Sequence, residues 1–162
     1  MNVAKKSQTC LCLLAMAAAM PLVSPSISAQ GHAGHIMVRP DELKWNDVPS
    51  VPPGVKVAVI QGPMNEAKPF TVRLKFPANY ELPAHYHPAI EHVTILSGTF
   101  NMGAGDKLDK KQTTALVPGS VMIMPPEMRH YAWTEKETIV QLSGTGPWGI
   151  TYVNPKDDPR KK

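Results

Sequence analysis

Seventeen of the chain's 162 residues are proline, and they fall so that no run of ten or more residues keeps a helical period. Proline lacks a backbone donor and its ring clashes with the preceding helical turn, so long helices are excluded. What remains is a series of short apolar segments parted by Gly and Pro turns. The stretch "FTVRLKF" at 70–76 alternates cleanly, with Phe70, Val72, Leu74 and Phe76 on one face and Thr71, Arg73 and Lys75 on the other. That is the pattern of a strand with one face buried and one wet. "VKVAVIQ" (55–61), "EHVTILSGTFNMG" (91–103), "SVMIMP" (120–125), "HYAWTE" (130–135), "TIVQL" (138–142) and "GITYV" (149–153) read as further short strands, and no fixed-period repeat is present. Such a series predicts an all-β single domain, a jelly-roll β-barrel over 55–154.

The ends of the chain carry other information. Lys5 and Lys6 precede the apolar run "CLCLLAMAAAMPLV", which is followed by the small residues of "SPSISAQ". Pro21 interrupts the run, which falls short of the roughly 20 apolar residues a spanning helix needs. Residues 1–29 therefore read as a cleaved secretory signal peptide, which predicts a periplasmic or secreted protein without a stable membrane anchor. Cys10 and Cys12 are the only cysteines and leave with it, so neither disulfides nor thiolate ligands are expected in the mature chain. Any metal must be held by nitrogen and oxygen. Residues 30–54 read as an extended, proline-rich approach to the first strand, and residues 155–162 as a charged tail that frays. Of the net charge of +4, Lys5 and Lys6 depart and "RKK" at 160–162 sits on that tail. The remainder is near neutral with no basic stripe, so nucleic acid is excluded as a partner.

"LPAHYHPAIEHVTILSG" at 82–98 holds three of the six histidines and a glutamate. Alternate strand residues share a face, so His85 and His87 point together while Tyr86 turns away. Glu91 follows Pro88 and shares its side with Val93 and Ile95, an interior lining. An unpaired carboxylate there costs several kcal/mol or is protonated, and so calls for a cation. Forty residues on, His130 follows a Pro-Pro turn at the opening of another strand. Three imidazoles and one carboxylate suit a single divalent ion, Fe, Mn, Ni, Cu or Zn, all of which accept these ligands.

"HYHPAIEHVTILSG" resembles the first motif of the cupin superfamily, with His85, His87, Glu91 and Gly98 in register, and "GSVMIMPPEMRH" resembles the second, with Gly119, Pro125 and His130 in place. The matching segments run from about residue 79 to 134. The resemblance implies a small single-domain exported cupin with its metal on His85, His87, Glu91 and His130. Asn79 and Glu127 stand where the motifs prefer glycine, and Thr134 replaces a common Asn. If the turn keeps a left-handed backbone at 127, Glu costs roughly 1–2 kcal/mol there.

Other candidates have simpler expectations. His92 faces away from Glu91's side. Tyr86, Tyr131 and Trp133 point outward by alternation and would suit packing against an outer sheet or against a second copy, a homodimer. Met122 and Met124, with Val121 and Ile123, are expected to fill the core. Arg129 and Gln141 are candidates for the barrel mouth or a solvated rim. Cleavage after Ala29 would place His32 third from a free amine, a geometry that binds Cu(II) or Ni(II), with His35 nearby in the same tail.

Cupins of this type include dioxygenases, isomerases and oxalate or superoxide enzymes, so the resemblance implies a metal more strongly than a reaction. The favoured expectation is a mononuclear metal enzyme, a dioxygenase-like oxidoreductase acting on a small oxygenated substrate. No further inward acid or base follows from the pattern, which leaves Glu127, beside the second-motif turn, as the candidate catalytic residue. The alternative is a non-catalytic, metal-dependent module that binds or senses a small molecule.

Overall fold

Strands shorter than nine residues, joined by tight turns, make up the fold, as the proline distribution requires. The structure, a computed structural model, describes Met1 and residues 35–162, so the expected signal peptide and His32 lie outside the described residues. In chain order the strands are β1 (Asn46–Asp47), β2 (Lys56–Gln61), β3 (Pro69–Phe76), β4 (Tyr80–Tyr86), β5 (Glu91–Ser97), β6 (Phe100–Ala104), β7 (Thr114–Leu116), β8 (Val121–Met124), β9 (His130–Thr134), β10 (Thr138–Thr145) and β11 (Thr151–Tyr152). The helical segments among the described residues are 3-10 turns of three residues each. Every pairing is antiparallel.

Two sheets form, one ordered β1-β2-β3-β10-β5-β8 and the other β11-β4-β9-β6-β7. They pack as a sandwich, and no strand pair among the described residues closes them into a ring. The alternation read from 70–76 holds: Phe70, Val72 and Phe76 are buried while Thr71, Arg73 and Lys75 are not. Val93, Ile95, Val140 and Leu142 join them from the larger sheet, and Tyr80, Leu82, Phe100 and Ala132 meet them from the smaller. At 25 cal/mol per Å² of apolar surface, burying each large side chain contributes about 1.5–3 kcal/mol.

Four expectations are corrected. Val121 and Ile123 are 58% and 62% exposed rather than core, because β8 is an edge strand whose alternation turns only Met122 and Met124 inward. Tyr131 does point away from the sandwich interior, yet it is 2% exposed. The loop before β7 covers it: its hydroxyl donates to the carbonyls of Asp109 and Gln112 at 3.4 and 3.2 Å. Its ring lies so close to Gly103 that a Cβ there would come within 2.5 Å. Trp133 is half-buried beside it, donating to Thr113 Oγ1 at 3.3 Å. Both side chains thus make contacts within their own chain.

The third correction concerns the approach to the first strand. Its end is part of the sheet: β1 pairs with β2, Val48 and Val51 pack on the core, and the carbonyls of Ser50 and Pro52 accept the hydroxyls of Tyr152 and Tyr80 at 2.9 and 2.7 Å. Fourth, the charged tail folds into short turns. Asn154 and Asp158 cap two 3-10 turns, Pro155–Asp157 and Pro159–Lys161, through their side chains. Val153 donates its backbone N–H to Ala84 at 2.9 Å, which ties the start of the tail to β4.

Candidate metal centre

A bulge aims the first two histidines. The β4–β9 register shifts between Leu82 and His85, and an extra residue there reverses the alternation. Leu82 and His85, three residues apart, consequently both face the cavity between the sheets, and His87 follows on the same side. His130 opens β9 directly opposite His85, and Glu91 opens β5 opposite Met124. All four are buried, at 2–7% exposure.

The three imidazoles offer ring nitrogens that lie within 4.8 Å of one another. Glu91, the expected fourth ligand, lies beside this group of three, with Oε1 3.6 Å from His87 Nε2 and Oε2 3.5 Å from His130 Nε2. Each imidazole is held from behind. Nδ1 of His85 donates to the Pro83 carbonyl at 2.7 Å, that of His87 to Gly149 at 2.7 Å, and that of His130 to Met128 at 2.8 Å. A carbonyl can only accept, so the proton of each neutral ring sits on Nδ1 and the lone pair of Nε2 is free.

Electrostatics agree with this tautomer. Burial holds His85 far below the ordinary imidazole range, brings His87 down to about 4 and lowers His130. Burial also pushes the Glu91 carboxyl up to about 8. Near neutral pH three lone pairs therefore meet a carboxyl that desolvation keeps from ionising. His87 Nε2 and Glu91 Oε2 have no hydrogen-bond partner. Two buried polar atoms left without a partner are costly unless a cation joins them. Three imidazole nitrogens and a carboxylate are ligands that borderline divalent metals take, and the residues fit such an ion.

The cavity beside this cluster has a volume of about 350 Å³. Apart from the histidines and Glu91 its wall is largely apolar, with Val72, Val93, Met122, Leu142, Trp148 and Ile150 contributing. Trp148 stacks on His87, ring centroids 4.3 Å apart and planes 17° from parallel, and also meets Phe70 at 5.4 Å.

Other predicted residues lie elsewhere. His92 is exposed on the opposite face, as alternation requires. Gln141 faces outward, where its Oε1 lies 3.4 Å from Arg73 Nε. Arg129 is exposed and paired with Asp106 at 2.7 Å, a solvated rim position. Asn79 and Glu127 both keep the left-handed backbone, φ 56° and 62°. Glu127 is exposed and does not line the cavity, and its backbone N–H donates to the His87 carbonyl at 2.8 Å. Sequence reading missed Trp148, Gly149 and Arg160. For Trp148 there was a signal: a single large aromatic inside the turn-forming "GTGPWGI" needs a reason to be there.

Among solved structures the fold resembles the polyketide cyclase RemF from Streptomyces resistomycificus, with a TM-score of 0.64 at 15% identity, over 77% of this chain and 89% of that one. It also resembles a salicylate 1,2-dioxygenase from Pseudaminobacter salicylatoxidans, TM-score 0.52 at 12% identity, over 64% and 32% of the two chains. A third relative is the anti-sigma ChrR of Rhodobacter sphaeroides, solved in complex with SigE, TM-score 0.50 at 19% identity, over 65% of this chain and 51% of that one. At these identities the likeness is one of fold. No curated protein matches the sequence. The ChrR cupin-like domain model matches residues 33–148, which takes in both histidine motifs and most of the two sheets, and the chain belongs to that cupin family.

Proposed function

We propose that this protein is an exported metalloenzyme that holds one divalent ion on His85, His87, Glu91 and His130 and acts as an oxidoreductase on a small oxygenated substrate in the adjoining cavity. One observation carries the proposal: His87 Nε2 and Glu91 Oε2 are buried without a hydrogen-bond partner, while the proton of each of the three clustered imidazoles is committed to a backbone carbonyl behind the site. When bound, the ion supplies Lewis acidity and, if redox-active, the means to engage dioxygen. The chain's own residues do the rest. The three carbonyls fix the rings, Glu91 offsets part of the ion's charge, and the apolar wall excludes water from the open side. The signal-like sequence at 1–29 supports export, and the dioxygenase among the structural relatives supports the reaction class.

Metal analysis of protein taken from the exported fraction tests this. About one ion per chain is expected, together with a spectral change on adding azide, which reports an exchangeable coordination position. Protein that carries no metal and takes up none on incubation with Fe(II), Mn(II), Ni(II), Cu(II) or Zn(II) refutes it.

A second reading has an observation of its own. The matching family is named for ChrR, and the ChrR structure is a complex with a sigma factor, which supports a metal-dependent binding or sensing module without turnover. An inert ion that admits no azide would favour it. Export would separate such a module from any sigma factor, so its ligand would be a small molecule.

A further inference from the structure

We propose that Arg160 recognises the carboxylate of the cavity's ligand, and that this ligand is a small carboxylate with an apolar body. The inference rests on reading the cavity as a ligand site, and it stands apart from the metal.

Arg160 belongs to the C-terminal turn and lines the cavity beside Ser50, Ile150 and Asp47. Its guanidinium is held in one orientation: Nε donates to Asp158 Oδ1 at 2.7 Å, and Nη2 donates to Asp158 Oδ2 at 2.9 Å and to the Ile150 carbonyl at 3.1 Å. The Arg160 backbone N–H adds a bond to the same carboxylate at 3.0 Å. Asp158 is 7% exposed and has both oxygens engaged. A guanidinium carries five N–H donors in a planar fork. Three are used here, and Nη1 has no partner among the described residues.

Surrounding chemistry favours an anion at that edge. The side chain is 45% exposed, so an incoming group reaches it without opening the fold. The other carboxylate at the rim, Asp47, is engaged by Lys56 Nζ at 2.7 Å. Away from the histidines and Glu91 the wall is largely apolar and offers a charge no partner, so a ligand whose apolar body fills that part leaves its ionised end at the rim. Arginine already oriented by a second carboxylate loses little freedom on meeting a planar anion, and charge-assisted hydrogen bonds are the stronger kind. A staple that only closed the C-terminal turn would have no need to stand on the cavity's lining.

The test compares two probes with the same ring, benzoate and benzyl alcohol, titrated calorimetrically into the full exported protein. Wild type should bind benzoate about tenfold or more tightly than the alcohol. Arg160→Gln should erase that preference while leaving the affinity for the alcohol unchanged, and Arg160→Lys should retain part of it. Thermal melting of each variant shows that it is folded. The preference should persist in chelator-stripped wild type, since the anion sits at the rim. Three results overturn the proposal: a preference that survives Arg160→Gln but disappears on stripping, equal losses for both probes, or binding of neither. If wild type proves metal-free yet discriminates through Arg160, the metal reading fails and this one stands.

Discussion

The indole of Trp148 lies flat against the imidazole of His87, and the carbonyl of the very next residue, Gly149, takes that imidazole's Nδ1 proton at 2.7 Å. A single turn thus fixes both the plane and the tautomer of one histidine of the candidate metal site. The turn is itself anchored, since the Trp148 backbone N–H donates to the Met64 carbonyl at 2.6 Å and the Gly146 N–H to Lys68 at 3.0 Å. Residues that orient a ligand from behind typically contribute 10–100-fold in metal affinity. Trp148→Ala is therefore expected to weaken metal binding by about that factor, and Trp148→Phe, which keeps an aromatic face, to restore much of it. Titration against a competing chelator measures both. Equal affinity in wild type and Trp148→Ala would show that the stacking plays no part.

Removing a ligand should separate metal binding from folding less cleanly. His85 and His130 stand opposite each other, ring centroids 4.2 Å apart. His85→Ala and His130→Ala are each expected to abolish stoichiometric metal, read by elemental analysis of the purified protein. Their melting temperature should then stop responding to added metal, because an ion that binds only the folded chain stabilises it by about 2.7 kcal/mol at a hundred times its Kd. A metal-dependent melting temperature that survives both substitutions would place the ion elsewhere.

The metal-stripped protein should lose stability to both acid and base on either side of about pH 6.5. The Glu91 carboxyl, ordinarily near 4.5, is raised to about 8 by burial. A raised folded-state value means that stability is lost as pH climbs toward it, because the unfolded chain has already released the proton. Across pH 6.5 to 8 that loss is roughly 2 kcal/mol. For the histidines the sign reverses. His87 is lowered from 6.5 to about 4, and His85 and His130 are lowered too, so stability falls as pH drops below 6.5 and the unfolded imidazoles take up protons. Three groups outweigh one, and the acid limb wins there despite Glu91. Urea midpoints against pH should trace a maximum near 6.5. Metal, or Glu91→Gln, should remove the alkaline limb, and an alkaline limb that persists in Glu91→Gln would assign the loss to another group.

What the sequence revealed followed from period and ligand spacing. Strand alternation placed Phe70, Val72, Val93 and Ile95 inside and His92 outside, and it brought Glu91 to the same interior as the histidines. Alternation reports which side of a strand a residue takes, and says nothing of what covers that side. Tyr131 was correctly turned away from the sandwich interior yet lies buried, because the loop around Asp109 and Gln112 folds over it. Val121 and Ile123 were expected inside because a fully apolar run hides its own phase, and only their place on the edge strand β8 resolves it. Trp148 and Arg160 reach the cavity from turns far along the chain, where no local period exists to reveal them.

Glu127 is where the backbone and the side chain make opposite demands. Its φ of 62° is a conformation that costs a side chain with a Cβ roughly 1–2 kcal/mol, while its N–H holds the His87 carbonyl at 2.8 Å. Its carboxylate is exposed and absent from the cavity wall. Glycine removes the strain but adds freedom to the unfolded chain, an entropic cost of about 0.5–1 kcal/mol. Glu127→Gly is therefore expected to be neutral or to stabilise by up to about 1 kcal/mol, with the N–H···O bond to His87 and the metal affinity intact. Glu127→Ala, which keeps the Cβ, should give no such gain. Chemical denaturation and metal titration of the two variants decide the matter. A large fall in turnover of metal-loaded Glu127→Gly, with structure and metal content unchanged, would instead give the carboxylate a part in the chemistry, as its position next to the second histidine motif suggested.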